Sequence, residues 1–315
     1  MCAVPLKIPT ELPHFVAPML ARPGVPFDDD DYLFEVKWDG CRAVCFVEKD
    51  GAVRLMNRRR RDVASRYPEL VAVLKTMPAG TVLDGEIIVA GPSGKPDFQK
   101  CQQREQARNR LGIGQLARSM PATYVVFDQM YSMYKTYLHS RLDFRRDRAR
   151  ATAQRCESPQ VVFSEGIVGQ GVSYYEAVVA QGLEGVVAKR LASYYSPGKR
   201  TDAWLKIKRC EDVTCAVLGF IPEGEHDFAS LVIGATDGSG TMRCVGRVGS
   251  GFDGDARAAV NGFLWSHRVE RPVVTCEYRR ALWVEPALYC LVRCMERTND
   301  GKLRAPVFRG LIDAD

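Results

Sequence analysis

Six consecutive residues, Glu35-Val36-Lys37-Trp38-Asp39-Gly40, followed by Arg42, place a lysine between acidic side chains at the end of an apolar-flanked stretch. On a strand, where side chains repeat with period 2, Glu35, Lys37 and Asp39 share one face. A lysine so held is a candidate nucleophile, and Gly40 lets the backbone turn just after it. Lys-x-Asp-Gly alone is a short pattern that occurs by chance. Its weight comes from four further stretches. Val82-Leu-Asp84-Gly85-Glu86 reads as a strand end with two carboxylates, and Tyr124-Val-Val-Phe127-Asp128 as a strand ending in an aromatic. Glu184-Gly185-Val-Val-Ala-Lys189 begins a third strand, and Trp204-Leu-Lys206-Ile-Lys208 sets two lysines on one face of a fourth. Each alone is ordinary surface or core patterning.

The elements that must position these residues follow from apolar periodicity. The segments Tyr32 to Lys37, Arg42 to Glu48 and Ala52 to Met56 read as a β-meander, the last two joined by a Lys49-Asp50-Gly51 turn. Helices are expected over Pro68 to Met77, Phe98 to about Leu111 and Gly171 to Gln181, and strands over Val82 to Ala90, Thr123 to Phe127, Glu184 to Arg190 and Trp204 to Lys208. Beyond Arg209 the texture shifts to short β-like runs: Val213 to Phe220, Leu231 to Gly234, Met242 to Val248, Val273 to Tyr278 and Leu288 to Glu296. One helix, Asp253 to Trp265, lies among them. That spacing suggests a small β-barrel, and hence two domains, 1–209 and 210–315.

The chain has 315 residues, 46% hydrophobic and 26% charged, enough for a substantial core without covalent staples. No membrane-spanning run, repeat or low-complexity tract is present. Pro5, Pro9 and Pro13 interrupt the first residues, no cleavable apolar signal is read there, and the expectation is a cytoplasmic protein with reduced thiols. The 11 cysteines form no Cys-x-x-Cys pair and are expected to be buried small hydrophobes rather than zinc ligands. Lys plus Arg number 44 against 38 Asp plus Glu, a net charge of +6 that suits a polyanionic partner without requiring one. The excess clusters in two places. Asn57-Arg58-Arg59-Arg60-Arg61 follows a strand and is a candidate phosphate contact, whereas Arg141 to Arg150 reads as a helix whose acid-base pairs make a solvated face.

The five motifs in this order resemble the nucleotidyltransferase superfamily of ATP-dependent DNA ligases, RNA ligases and mRNA capping enzymes, over nearly the whole chain. Within it the likeness narrows to bacterial ATP-dependent DNA ligases of the end-joining and repair type, the LigC-like enzymes and the ligase module of LigD. Arg58 to Leu70 looks like their segment after the nucleophile, and Gly246 to Phe252 with Leu303 to Leu311 looks like their C-terminal OB-fold. The resemblance implies an α+β fold, with an ATP-grasp-like nucleotidyltransferase domain of antiparallel sheets and helices before an OB-fold barrel. It implies that Lys37 takes AMP from ATP and passes it to a 5′-phosphate at a DNA nick, where the 3′-hydroxyl displaces it. The OB-fold would close over the nucleotide about a hinge near Arg209 to Asp212.

That chemistry fits the residues. Lys37 must be uncharged to attack a phosphate, and Lys206, Lys208 and a divalent metal favour the neutral form. Those cations also stabilise the transferring phosphoryl oxygens. Glu86 and Glu184 are hard oxygen ligands for Mg2+ or Mn2+. Phe127 is placed to stack on a purine, unless it is a core residue. By resemblance, Glu35 lies beside the adenine, and Arg42 and Arg58 contact ribose or phosphate of nucleotide and nick. Arg58, Arg59, Arg60 and Arg61 are the candidate DNA contacts. The expected partner is nicked or broken duplex DNA, with a Ku-like end-binding protein as a further candidate, and the expected state is a monomer associated with the bacterial nucleoid. An RNA ligase, another covalent nucleotidyltransferase and a non-catalytic DNA-end-binding relative remain as alternatives. Arg60 stands where the family usually has glycine and Ala64 where threonine is common. Ile312, Ala314 and Asp315 replace the basic closing pattern that orients pyrophosphate.

Overall fold

The computed structural model describes residues 11–224, 226–298 and 300–312. Ala314 and Asp315 lie outside them. The chain forms two compact units, Met1–Lys208 and Arg209–Asp315. Among the described residues no helix is long and apolar enough to cross a membrane.

The first unit runs β1 (Leu20–Pro23), β2 (Asp29–Val36), β3 (Cys41–Val47), β4 (Val53–Asn57), α1 (Pro68–Leu74), β5 (Thr81–Val89), α2 (Phe98–Gln106) and α3 (Arg110–Ser119). It continues through β6 (Ala122–Ser132), β7 (Lys135–Thr136), α4 (Leu142–Gln154), β8 (Val161–Phe163), β9 (Gly166–Gly169), α5 (Gly171–Ala180), β10 (Gly185–Arg190) and β11 (Arg200–Lys208). Two mostly antiparallel sheets result. One has five strands in the order β1-β11-β10-β2-β9, and the other six, β4-β3-β5-β6-β7 with β8 beside β6.

The expected meander is therefore split. β2 pairs with β9 and β10, while β3 pairs with β4 and β5 in the other sheet. Period-2 alternation marks a strand but not its partner, and the residues between β2 and β3 cross from sheet to sheet. Gly40 is required by space rather than by a turn: a Cβ there would lie 2.3 Å from the Ile87 carbonyl oxygen. The single helix expected over Phe98 to Leu111 is two. Asp97 caps α2 at Lys100 N, and Asn109 starts α3 by accepting from Leu111 N.

The alternation of each strand sorts its side chains between layers. Ala43, Cys45 and Val47 of β3 and Leu83, Ile87 and Val89 of β5 pack towards α1, α2 and α4 in one core. Phe34, Val186, Ala188 and Ile207 pack against α5 in another. The layers run helix, sheet, sheet, helix. The residues of opposite parity, among them Val44, Phe46, Val82, Phe127 and Trp204, meet between the sheets. Arg42, Glu86, Glu35, Lys189 and Lys206 share that parity, and so project into the space between the sheets where apolar filling stops.

The second unit comprises β12 (Glu211–Glu223), β13 (Asp227–Thr236), β14 (Met242–Val248), α6 (Gly254–Ser266), β15 (Arg268–Val269), β16 (Leu282–Val284), β17 (Tyr289–Cys294), β18 (Glu296–Arg297), β19 (Leu303–Arg304) and β20 (Val307–Ile312). Along one edge β12 pairs first with β17 and then with β16, which curls the sheet around Phe220, Phe228, Leu231 and Phe308. Asp253 caps α6 by accepting from Ala256 N at 2.8 Å. Val273 to Tyr278 is no strand. Val274, Cys276 and Tyr278 alternate because they pack on the Leu218 and Val232 side of the sheet, without ladder bonds.

Candidate active site

Between the two sheets of the first unit lies a cavity of about 970 Å3. Lys37, Arg42, Glu35, Glu86, Phe127, Lys206 and Lys208 all line it, joined by Val187, Lys189, Trp204 and Arg200. Of the arginine run, Arg58, Arg59 and Arg61 also line it. Arg60 does not. Its φ of 57° is in the left-handed region, which accounts for the glycine usual at this position, and its guanidinium lies 5.4 Å from the Phe15 ring centre.

Lys37 follows β2 and is tied to β10 by its backbone N–H, which donates to the Gly185 carbonyl at 2.8 Å. Gly185 has φ 136°, and a Cβ on it would stand 2.1 Å from the Ile207 carbonyl oxygen. The Lys37 ammonium pairs with Glu184 at 2.5 Å, and the other Glu184 oxygen pairs with Lys208 at 2.7 Å. Burial pushes the Glu184 carboxyl up, but the two lysines outweigh it and hold the group below its usual range. Lys206 is lowered by burial and by the neighbouring charges of Lys208, Arg200, Lys37 and Arg58. Glu86 is pushed up to about 8 by burial, which Arg42 and Lys37 oppose and Asp84 and Glu184 reinforce. Asp84 and Glu86 sit mid-strand in β5 rather than at its end.

Arg42 is fixed by a fork onto fully buried Asp84, with Nε and Nη2 each donating at 2.6 Å, and it stacks 4.6 Å from the Phe127 ring centre. Burial disfavours its charge, but Asp84 more than compensates and raises its pKa. Tyr195 donates to the same carboxylate at 2.5 Å. Glu35, only 2% exposed, is held by Arg146 from α4 and by Lys189 at 2.9 Å. Lys189 in turn sits 4.2 Å from the Phe127 ring centre and 4.4 Å from that of Trp204.

The solvated-face reading of the 141–150 helix is corrected by these contacts. Arg145 and Arg146 are buried, the first paired with Asp128 at 2.8 Å and the second with Glu35. Leu142, Arg145, Arg146, Ala149 and Ala153 are the buried residues of α4 and follow helical spacing, so both arginines occupy the inward stripe. That stripe was the available signal. Lys189, Arg66, Arg108 and Arg200 were also missed as cavity residues; Lys189 closes a motif already singled out, while the other three carry no local signal.

The description "ATP dependent DNA ligase domain" matches residues 18–208, and "ATP dependent DNA ligase C terminal region" matches 224–313. The multifunctional non-homologous end joining protein LigD of Mycolicibacterium smegmatis is 31% identical over 95% of this chain and 38% of that protein. The chain thus spans 38% of the length of that curated relative. The solved ligase domain of M. tuberculosis LigD is 30% identical, with 94% of this chain and 95% of that one covered and a TM-score of 0.57. Mycobacterial DNA ligase D complexed with ATP and MES is 29% identical, covering 95% and 96%, with a TM-score of 0.55. A mixed α+β nucleotidyltransferase unit before a curled C-terminal sheet, matched along nearly its whole length at these identities, shows that this chain belongs to the ATP-dependent DNA ligases.

Proposed function

We propose that this chain seals 5′-phosphate/3′-hydroxyl breaks in duplex DNA through a lysyl-AMP intermediate on Lys37. The observation that carries this reading is one cavity joining Lys37, flanked by Lys206 and Lys208, to an aromatic and aliphatic slot of Phe127 and Val187. Val187 on β10 lies in register with both Glu35 and Lys206, so base and phosphate ends are separated by a strand width or two. Adenine between Phe127 and Val187 would bring the α-phosphate towards Lys37.

Lys37 attacks as the free amine, its proton having passed to solvent. Its Nζ then forms a bond to the α-phosphorus while the bond from that phosphorus to the bridging oxygen breaks, and pyrophosphate departs with the electron pair. In the second step the 5′-phosphate oxygen of the nick displaces Lys37 from AMP. In the third the 3′-hydroxyl displaces AMP. Lys206, Lys208, Arg42 and Arg200 supply fixed positive charge to each pentavalent transition state. Glu86 and Glu184 would be the residues to hold Mg2+ or Mn2+, with Glu86 giving up its proton and Glu184 releasing a lysine. Among the described residues no group of three or more His, Cys, Asp or Glu could hold a metal by itself. A bound divalent cation would neutralise phosphate charge there.

Domain 1–209 is proposed as the adenylation domain and 210–315 as the OB-fold domain. Arg58, Arg59 and Arg61 are proposed as contacts to the nick phosphates, with Arg60 turned away towards Phe15. The relatives named for non-homologous end joining support a role in break repair. A monomer in a bacterial cytoplasm, recruited by a Ku-like end-binding protein, is part of the same proposal. The test is sealing of an end-labelled nicked duplex with ATP, beside GTP and beside a nick flanked by RNA. Joining with ATP on the DNA nick is expected. No joining and no transfer of label from α-labelled ATP would refute the reading.

A further inference from the structure

Between β2 and β3 the chain crosses from one sheet to the other, and the crossing carries Lys37. Its backbone is held to the five-stranded sheet through Gly185. The hold on the other side is made by the next residue: Trp38 Nε1 donates to Ser164 Oγ at 2.9 Å. Ser164 is fully buried just past β8, a strand of the six-stranded sheet. Its N–H donates to the Val126 carbonyl of β6 at 2.8 Å, and its carbonyl accepts from Arg146 Nη2 at 2.9 Å. A hydroxyl fixed from both sides of its own backbone is a rigid anchor. The same Arg146 grips Glu35, two residues before Lys37, so Lys37 is flanked by one tie to α4 and one to the residue after β8.

We infer that Ser164 is a positioning residue for the nucleophile, acting on Lys37 through Trp38. A lysine side chain has four rotatable bonds, and its amine must come within about 3–3.5 Å of phosphorus and opposite the leaving oxygen. With the Trp38 bond lost, the nearest hold on the six-stranded sheet given by a ladder is Cys41 on Ile87, four residues beyond Lys37, and Lys37 samples more positions. Base recognition at Phe127 and Val187 does not pass through this bond, so binding of ATP is spared. The inference rests on the ligase reading above.

The experiment measures single-turnover transfer of label from α-labelled ATP to the full chain over a range of ATP concentrations. Ser164→Ala should lower the limiting rate about ten- to hundredfold, with the half-saturating ATP concentration changed by less than about twofold. Trp38→Phe removes the donor and keeps a ring, and should show the same split. The double variant should be no slower than the slower single, because both remove one interaction. A Ser164→Ala protein as fast as wild type, a loss that falls on ATP affinity, or losses that multiply in the double variant would overturn the inference. If thermal melting shows Ser164→Ala to be unfolded, Trp38→Phe decides, and a wild-type rate there overturns it. Failure of the wild type to take label refutes the ligase reading instead.

Discussion

Two arginine-rich stretches of similar composition do opposite things. In the turn after β4, Arg58, Arg59 and Arg61 line the cavity, and among the described residues no ion pair holds them. Asn57 shapes that turn by accepting from the backbone N–H groups of Arg59 and Arg61. In α4, by contrast, Arg145 is spent on Asp128, Arg146 on Glu35 and Arg150 on Glu165. The difference lies in the acids, not in the arginines. Arg145 and Arg146, beside buried carboxylates and outside the cavity lining, are structure, whereas an arginine facing the cavity without a partner is available for a phosphate.

The largest effect should follow from breaking the buried pair. Arg145→Ala leaves Asp128 fully buried without its partner, and denaturant unfolding should show a loss of about 3–5 kcal/mol. Arg58→Ala should leave stability within about 0.5 kcal/mol of wild type while weakening binding to nicked duplex about tenfold and flattening the salt dependence of that binding. Gel shifts at two salt concentrations read this directly. If both variants changed neither stability nor binding, the contrast between the stretches would be void.

The contrast also marks what was legible in the residues themselves. Lys37, Glu86, Phe127, Lys206 and Lys208 were found because each sits in a short run whose period-2 alternation sends it to the inner face of its sheet. The partners that fix them were not, because Arg146 reaches Glu35 across 111 positions and Tyr195 reaches Asp84 across another 111. Strand pairing failed for the same reason. β2 and β3 are adjacent in the chain, but the Val36 and Cys41 ends belong to different sheets, a choice made by β10 and β5 far downstream. In Val273 to Tyr278, alternation reported burial and was mistaken for a ladder.

A smaller effect tests the cavity carboxylates. Glu86 has its pKa raised from 4.5 to about 8 in the folded protein, mainly by burial. The folded state therefore holds a proton that the unfolded chain releases above about pH 4.5. Its contribution to stability is full below that pH and is lost as pH rises to about 8. Metal-free Glu86→Gln should accordingly lose less stability than wild type between those limits in thermal melts, and parallel curves would contradict the assignment. The smallest effect is expected at Arg150→Ala, an exposed pair with Glu165, where unfolding should shift by no more than about 0.5 kcal/mol.

The central claim is that Lys37 is the residue that becomes adenylated, and mass mapping of the protein after incubation with ATP and Mg2+ tests it most directly. The expected result is a single AMP adduct on the peptide containing Lys37, absent from Lys37→Ala, with nick sealing lost in the same variant. An AMP adduct on any other residue, or one that persists in Lys37→Ala, would contradict it.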